Sequence, residues 1–265
     1  MYGYGELLRD AAYFEDKGVE VFTVGLSRQG RKILCFAHGS GAKPVVSTAA
    51  IHARENASAY AVLGQLEYAL KNNVDYRQYF IPLANPDGAE LLRRYYDNGE
   101  EKYRLWKANA VGVDLNVNFD ANWGSGSQNV RTAGGENYIG ANPFSEPETR
   151  ALAVFTKKCG AAATLSYHTA GRELYWYFFQ KTHYERDLAY AEFIEKYLRY
   201  KYKRIDSDMN SAGGYKDWCI QALNIPAFTV ELGYGTHPLG KDDLTEDIEL
   251  NKGLAAALSE RLTQS

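Results

Sequence analysis

Cysteine is scarce in this 265-residue chain: Cys35, Cys159 and Cys219 stand far apart and form no C-x-x-C pair. That argues against a disulfide framework and fits a reducing compartment. Cys35 and Cys219 lie in apolar contexts and read as core thiols. Long apolar runs are missing. None approaches the 18 residues that mark a membrane-spanning helix, so no membrane partner is expected. Basic blocks are missing too. With a net charge of -3 and no Lys/Arg cluster, no nucleic acid is expected as a partner. The opening MYGYGELLRD has neither a basic start nor an apolar stretch, so no signal peptide is visible. Together these absences predict a cytoplasmic protein, with an extracellular one as the alternative if the chain is a trimmed piece.

What is present is ordinary for a folded chain: 45% hydrophobic and 24% charged residues, enough length for a sizeable core, and no sign of disorder. The 21 tyrosines stand out. A core seldom satisfies so many phenols, so many are expected at the surface or lining a groove.

Residues 5–17 read as an amphipathic helix stopped by Gly18. VEVFTVGLS and KILCFAHG read as strands joined by the turn RQGR. KPVVSTAAIH has the continuous apolar character of a strand buried on both faces. A long helix follows in ENASAYAVLGQLEYALKNN, then a strand in RQYFIPLANPDG that runs into an NPDG turn. GVDLNVNF, residues 112–119, alternates apolar and polar residues and reads as a short strand. Residues 124–143 are rich in Gly, Ser and Asn and read as a long loop, a feature usually tied to function. SEPETRALAVFTKKCG predicts a helix with Ser145 as N-cap, Pro147 in its first turn and Glu148 at the capping-box position. AAATLSYH, ELYWYFF and IPAFTVELG predict strands. HYERDLAYAEFIEKYLRY, GGYKDWCIQALN and 242–262 predict helices. Strands and helices alternate without a linker or repeat. The expectation is one α/β domain over residues 1–265, a mixed, mostly parallel sheet flanked by helices on both faces. In such sheets, sites gather at the carboxyl ends of strands.

Three strand ends carry chemistry. One ends in His52, followed by Ala53, Arg54 and Glu55. A second ends in His168, and a third carries Glu231. Two imidazoles and a carboxylate form a common catalytic zinc set, and a further carboxylate can serve as general base on water. An H-x-x-E match alone is weak in a chain with five His. Two His and two Glu at the ends of different strands form a stronger combination.

In order along the chain, IHARE, LANPDG, GVDLNVNF, PFSEPETRAL, SYHTAG and FTVELG resemble six motifs of the zinc metallocarboxypeptidases, over roughly residues 5–262. The resemblance implies that His52, Glu55 and His168 bind one zinc ion and that Glu231 is the general base. It also implies that Asp114 orients His52 through the second ring nitrogen. Lys107 takes the place of an arginine near the oxyanion and offers a point charge without a bidentate fork. Arg54 matches a substrate-contacting arginine.

Two positions depart from the pattern. Val117 stands where carboxypeptidases carry the arginine that grips a terminal carboxylate. Met209 stands where they carry a substrate-binding tyrosine, unless a shifted residue such as Tyr215 replaces it. The usual grip on a free C-terminus is therefore expected to be absent. Lys216, at a specificity position, suits an acidic group. Asn116, Val117, Met209, Lys216 and Arg172 are the substrate-binding candidates, with Arg131 a further possible anchor. Asn118 is expected to face the substrate or its loop.

WKANAVGVDLN and SYHTAGRELYWYF are especially similar to the bacterial branch that cleaves γ-D-glutamyl-diamino-acid bonds in peptidoglycan stem peptides. The resemblance therefore implies a zinc peptidase of murein stem peptides. A carboxypeptidase of ordinary peptides with a relocated anchor, and a catalytically silent cell-wall peptide binder, are the alternatives.

Overall fold

The structure, a computed structural model, describes residues 1–206 and 212–264. Helix α1 (Tyr4–Asp16) buries Leu7, Ala11 and Phe14 on one stripe. Strands β1 (Glu20–Leu26) and β2 (Lys32–His38) follow, paired antiparallel. Strand β3 (Val45–Ala49) is buried at every position. It leads through a tight turn of 3-10 helix, Ala53–Ser58, into α2 (Ala59–Lys71). Strand β4 (Gln78–Ile81) leads into α3 (Pro86–Asn98), and after the long loop comes α4 (Pro147–Lys158). Strands β5 (Ala163–Thr169) and β6 (Glu173–Tyr175), helix α5 (Tyr184–Tyr197) and strand β7 (Lys203–Ile205) come next. Helix α6 (Tyr215–Leu223), strand β8 (Ala227–Leu232) and helices α7 (Thr245–Asn251) and α8 (Leu254–Thr263) complete the order.

Among the described residues the sheet has eight strands in the order β1-β2-β4-β3-β5-β8-β6-β7. Its centre, β4-β3-β5-β8, is parallel, and the flanking pairs β1–β2, β2–β4 and β6–β8 are antiparallel. Parallel strands need crossover connections, and the helices supply them. Two apolar layers result. One packs α1, α2, α5 and α8 through Leu66, Leu165, Phe228 and Ile194. The other packs α4 and α6 through Leu152, Phe119, Trp218 and Ile220. No helix among the described residues is long and apolar enough to cross a membrane.

Several local expectations are corrected. GVDLNVNF is not a strand; Leu115–Val117 forms a turn of 3-10 helix. Asp114 caps it by accepting from Asn116 N at 2.9 Å. The alternation there arises because both sides are buried: Leu115 joins the apolar layer and Val117 borders a cavity, while Asp114 and Asn118 enter hydrogen-bond networks. NPDG opens helix α3 instead of closing a turn. Asn85 is its N-cap and accepts from Gly88 N at 2.9 Å, and Pro86 takes the first position, where no N–H is needed. Helix α4 is capped at Glu146, one residue later than Ser145. Glu148 is buried and accepts from Arg28 N at 2.9 Å instead of closing a capping box. The closing helix is split at Lys252–Gly253 into α7 and α8.

Most tyrosines are partly or fully exposed, as expected, and Tyr175 lines a cavity. Tyr2, Tyr167, Tyr202 and Tyr215 are almost fully buried, with hydroxyl partners Asp10, Gln65, Asp247 and Thr156.

Candidate active site

β3 ends at Ala49, and the chain turns so that His52 starts the 3-10 turn containing Glu55. Such a turn returns after three residues, which brings His52 and Glu55 to one side. His52 Nδ1 lies 2.8 Å from Glu55 Oε1. β5 is the parallel neighbour of β3, and its penultimate residue His168 places Nδ1 2.8 Å from Glu55 Oε2. The three side chains are buried, and their ligand atoms all lie within 4.8 Å of one another. Two imidazole nitrogens and a carboxylate suit zinc, as three protein ligands of a four-coordinate ion. The remaining ring nitrogens are also engaged: His52 Nε2 is 3.1 Å from Asp114 Oδ1, and His168 Nε2 is 3.3 Å from Ser166 Oγ. Metal-binding imidazoles normally have such partners.

β8 is the next parallel strand, and Glu231 pairs in register with His168. Across the antiparallel edge Glu231 faces Glu173. Burial pushes the Glu231 carboxyl up to about 8; Glu55 and Glu173 add to the rise, while His168 and Lys107 oppose it. Lys107 Nζ lies 2.8 Å from Asp114 Oδ2. Burial alone lowers the pKa of that ammonium, but Asp114 reverses the effect and leaves it raised. Burial likewise disfavours charge on Asp114, yet Lys107 and His52 hold its carboxyl far below the usual range.

These groups border a cavity of about 310 Å³, lined by His52, His168, Glu231, Lys107 and Asp114 and also by Asn116, Val117 and Lys216. Val117 brings no donor to it. Lys216 is held by Tyr177 O at 2.9 Å and Asp217 Oδ1 at 2.6 Å. Asn116 Oδ1 accepts from Tyr215 N at 3.1 Å, which ties this wall to the start of α6.

Other candidates lie elsewhere. Arg54 is paired with Glu136 at 3.0 Å and is not among the residues lining the cavity. Arg172 donates to both carboxylate oxygens of Asp247, at 2.9 and 3.0 Å, and to Glu246 at 2.6 Å; its charge is spent away from the cavity. Arg131 stacks on Trp123 at 4.9 Å. Tyr215 is fully buried and bonds Thr156 Oγ1 at 2.6 Å, so it does not serve as a shifted substrate tyrosine. Met209 lies outside the described residues. Asn118 faces the loop: its amide donates to Ile139 O at 2.9 Å and Ser145 Oγ at 2.9 Å, and its carbonyl accepts from Thr149 Oγ1 at 2.8 Å.

Sequence reasoning missed Gln128, Asn129, Asn137, Tyr175 and Thr229, which also line the cavity. Period-two spacing from Glu231 to Thr229, with Tyr175 opposite Thr229 across the ladder, was the available signal for two of them. The three amides sit in an irregular loop and carry no periodic signal.

A family model described as zinc carboxypeptidase matches residues 6–251. The γ-D-glutamyl-L-diamino acid endopeptidase 1 of Lysinibacillus sphaericus is 37% identical over 174 residues, 60% of this chain and 43% of that protein. The chain thus spans less than half the length of the first curated relatives it matches. Bovine thrombin-activatable fibrinolysis inhibitor, solved with a tick carboxypeptidase inhibitor, superposes with a TM-score of 0.84 at 21% identity, covering 99% of this chain and 97% of that one. The murein-tripeptide amidase of Escherichia coli O157 gives 0.61 at 24% identity, covering 90% and 91%. A family match of that extent, joined to a buried donor set that suits zinc, places the chain in the zinc carboxypeptidase family of metallopeptidases, with zinc as its cofactor.

Proposed function

We propose that this protein hydrolyses peptidoglycan stem peptides at the bond between γ-D-glutamate and the diamino acid. The observation that carries the reading is the pairing of a full set of ligands and base with Val117 in the same cavity. The machinery of hydrolysis is present, but the family's carboxylate-gripping arginine is absent. Among the described residues, the cations lining the cavity are Lys107 and Lys216. Stem peptides carry carboxylates on D-centres and side chains, for which Lys216 is the proposed partner. The 37% identity to a γ-D-glutamyl-L-diamino acid endopeptidase supports the same choice.

In this mechanism His52, Glu55 and His168 hold the metal, which when bound supplies Lewis acidity toward a carbonyl and lowers the pKa of water. Glu231 takes a proton from the attacking water on its carboxylate and returns it to the leaving amine. The Lys107 ammonium faces the carbonyl oxygen as that atom gains charge. Asp114 keeps the His52 ring oriented and Lys107 in place.

The test is to incubate the zinc-loaded protein with stem tripeptide, with its C-terminally extended forms, and with an ordinary α-linked peptide, and to identify products by mass spectrometry. Cleavage at the γ-D-glutamyl bond supports the reading; cleavage of the α-linked peptide alone sinks it. That second outcome is the one expected of a carboxypeptidase with a relocated anchor, for which Lys216 in the cavity is again the candidate. We further propose a cytoplasmic recycling role, supported by the three free thiols. Cell fractionation decides it, and recovery of the protein outside the cytoplasm overturns it.

A further inference from the structure

Three consecutive residues of the long loop each meet a different residue of the site or its rim. Glu136 Oε1 lies 3.0 Å from Arg54 Nη1. Asn137 Oδ1 accepts from Lys107 Nζ at 2.6 Å. Tyr138 O accepts from Asp114 N at 2.9 Å. Asn137 itself has a left-handed backbone, φ 62, which asparagine tolerates better than most residues. The segment is anchored at its C-terminal end, through the Val130–Tyr138 bridge and through the Asn118 amide on Ile139 O.

Lysine is a point charge on a flexible four-carbon stem, whereas arginine presents a pre-organised fork. An ammonium has three donors. Here Asp114 Oδ2 pairs with the Lys107 ammonium at 2.8 Å, and Asn137 Oδ1 accepts from it at 2.6 Å. Lys107 also lines the cavity, which leaves its ammonium beside any oxygen bound there.

We propose that Asn137 is the positioning residue for Lys107, supplying through an outside acceptor the orientation that an arginine fork carries within itself. The proposal rests on the reading of Lys107 as the group that faces the substrate carbonyl. Asn137 also lines the cavity, and the role assigned to it here is exerted through the ammonium.

The test uses the zinc-loaded full chain with Asn137→Ala and Asn137→Gly. The glycine variant removes the amide without straining the left-handed backbone. On the peptide that wild type cleaves, both variants are expected to lower kcat about 10- to 100-fold, the range for a misplaced or lost electrostatic donor, with KM changed less than about threefold. In a Lys107→Ala background, removing Asn137 is expected to have no further effect on kcat. In parallel, carbon-13 relaxation at the Lys107 ε-methylene measures side-chain order without any substrate. Order is expected to fall in both variants while zinc content and Tm of the glycine variant stay at wild-type values. Unchanged kcat, unchanged order, or full additivity with Lys107→Ala each overturn the proposal. If wild type cleaves no peptide of the panel, the functional reading fails, and the relaxation measurement still decides whether Asn137 holds Lys107.

Discussion

Replacing Asp114 by asparagine tests the connection between metal site and cation most directly. Asp114 is 1% exposed and serves three partners: Asn116 N at 2.9 Å, His52 Nε2 at 3.1 Å and Lys107 Nζ at 2.8 Å. Asparagine keeps the shape and one acceptor but loses the charge. Two costs follow, and they are separable. Loss of the charged partner behind a metal-binding imidazole is worth about 10- to 100-fold in metal affinity, or about 1.4–2.8 kcal/mol. Breaking a buried ion pair costs about 3–5 kcal/mol of stability when the surviving charge is left alone. Here the Lys107 side chain is 17% exposed and keeps Asn137 as an acceptor, so the lower end of that range, about 3 kcal/mol, is expected. Zinc competition against a chromogenic chelator reads the first cost, and urea unfolding of the metal-free protein reads the second. Adding Lys107→Met to Asp114→Asn removes the stranded charge. The double variant is expected to regain most of the stability and none of the zinc affinity. Wild-type zinc affinity in Asp114→Asn, or a double variant no more stable than the single one, refutes this reasoning.

Glu231→Gln is expected to lower kcat by about 10²–10⁴-fold while retaining zinc, as judged by turnover and metal analysis. The same variant tests the raised carboxyl in the metal-free protein. Folded Glu231 holds its proton up to about 8 while the unfolded chain releases it in the ordinary carboxylate range, so the folded state binds more protons between those limits. Stability from this group is complete at low pH and is lost as pH rises through 8; urea midpoints in Glu231→Gln should fall less steeply over that window. Val117→Arg is expected to leave turnover of the natural substrate no better and to improve cleavage of peptides with a free C-terminal carboxylate, measured as kcat/KM on both. Improved natural turnover contradicts the view that this site has left the family's grip behind. Tyr215→Phe strips a buried hydrogen bond to Thr156 and should cost about 1–2 kcal/mol in urea unfolding with kcat unchanged, because the phenol is a core group.

The metal ligands were legible because strand periodicity and strand ends are local signals, and a parallel sheet gathers those ends. The same logic located Glu231. Strict alternation misled at 112–119, since the pattern records two buried sides without saying whether a ladder joins them. Asn-Pro at residues 85–86 reads as a turn because turns and helix starts share the same capping chemistry. Arg172 resembled an anchor, but its partners Asp247 and Glu246 lie some 75 positions away, beyond any local pattern. Gln128, Asn129 and Asn137 reach the cavity from a loop whose course is fixed by long-range contacts such as those of Asn118.

The in-register pairing of His168 with Glu231, on β5 and β8, with β5 in turn paired to the strand leading into His52, sets how this protein should respond to chelators. The spacing of two ligand-bearing strands and the base is held by backbone ladders in the most buried part of the sheet, where local opening requires near-global unfolding. Stripping the metal should therefore leave a folded receptor. Zinc affinity would then report coordination alone, without a folding cost, unlike small zinc domains in which the two are inseparable. The ion should add stability only by mass action, rising with the logarithm of its free concentration above Kd.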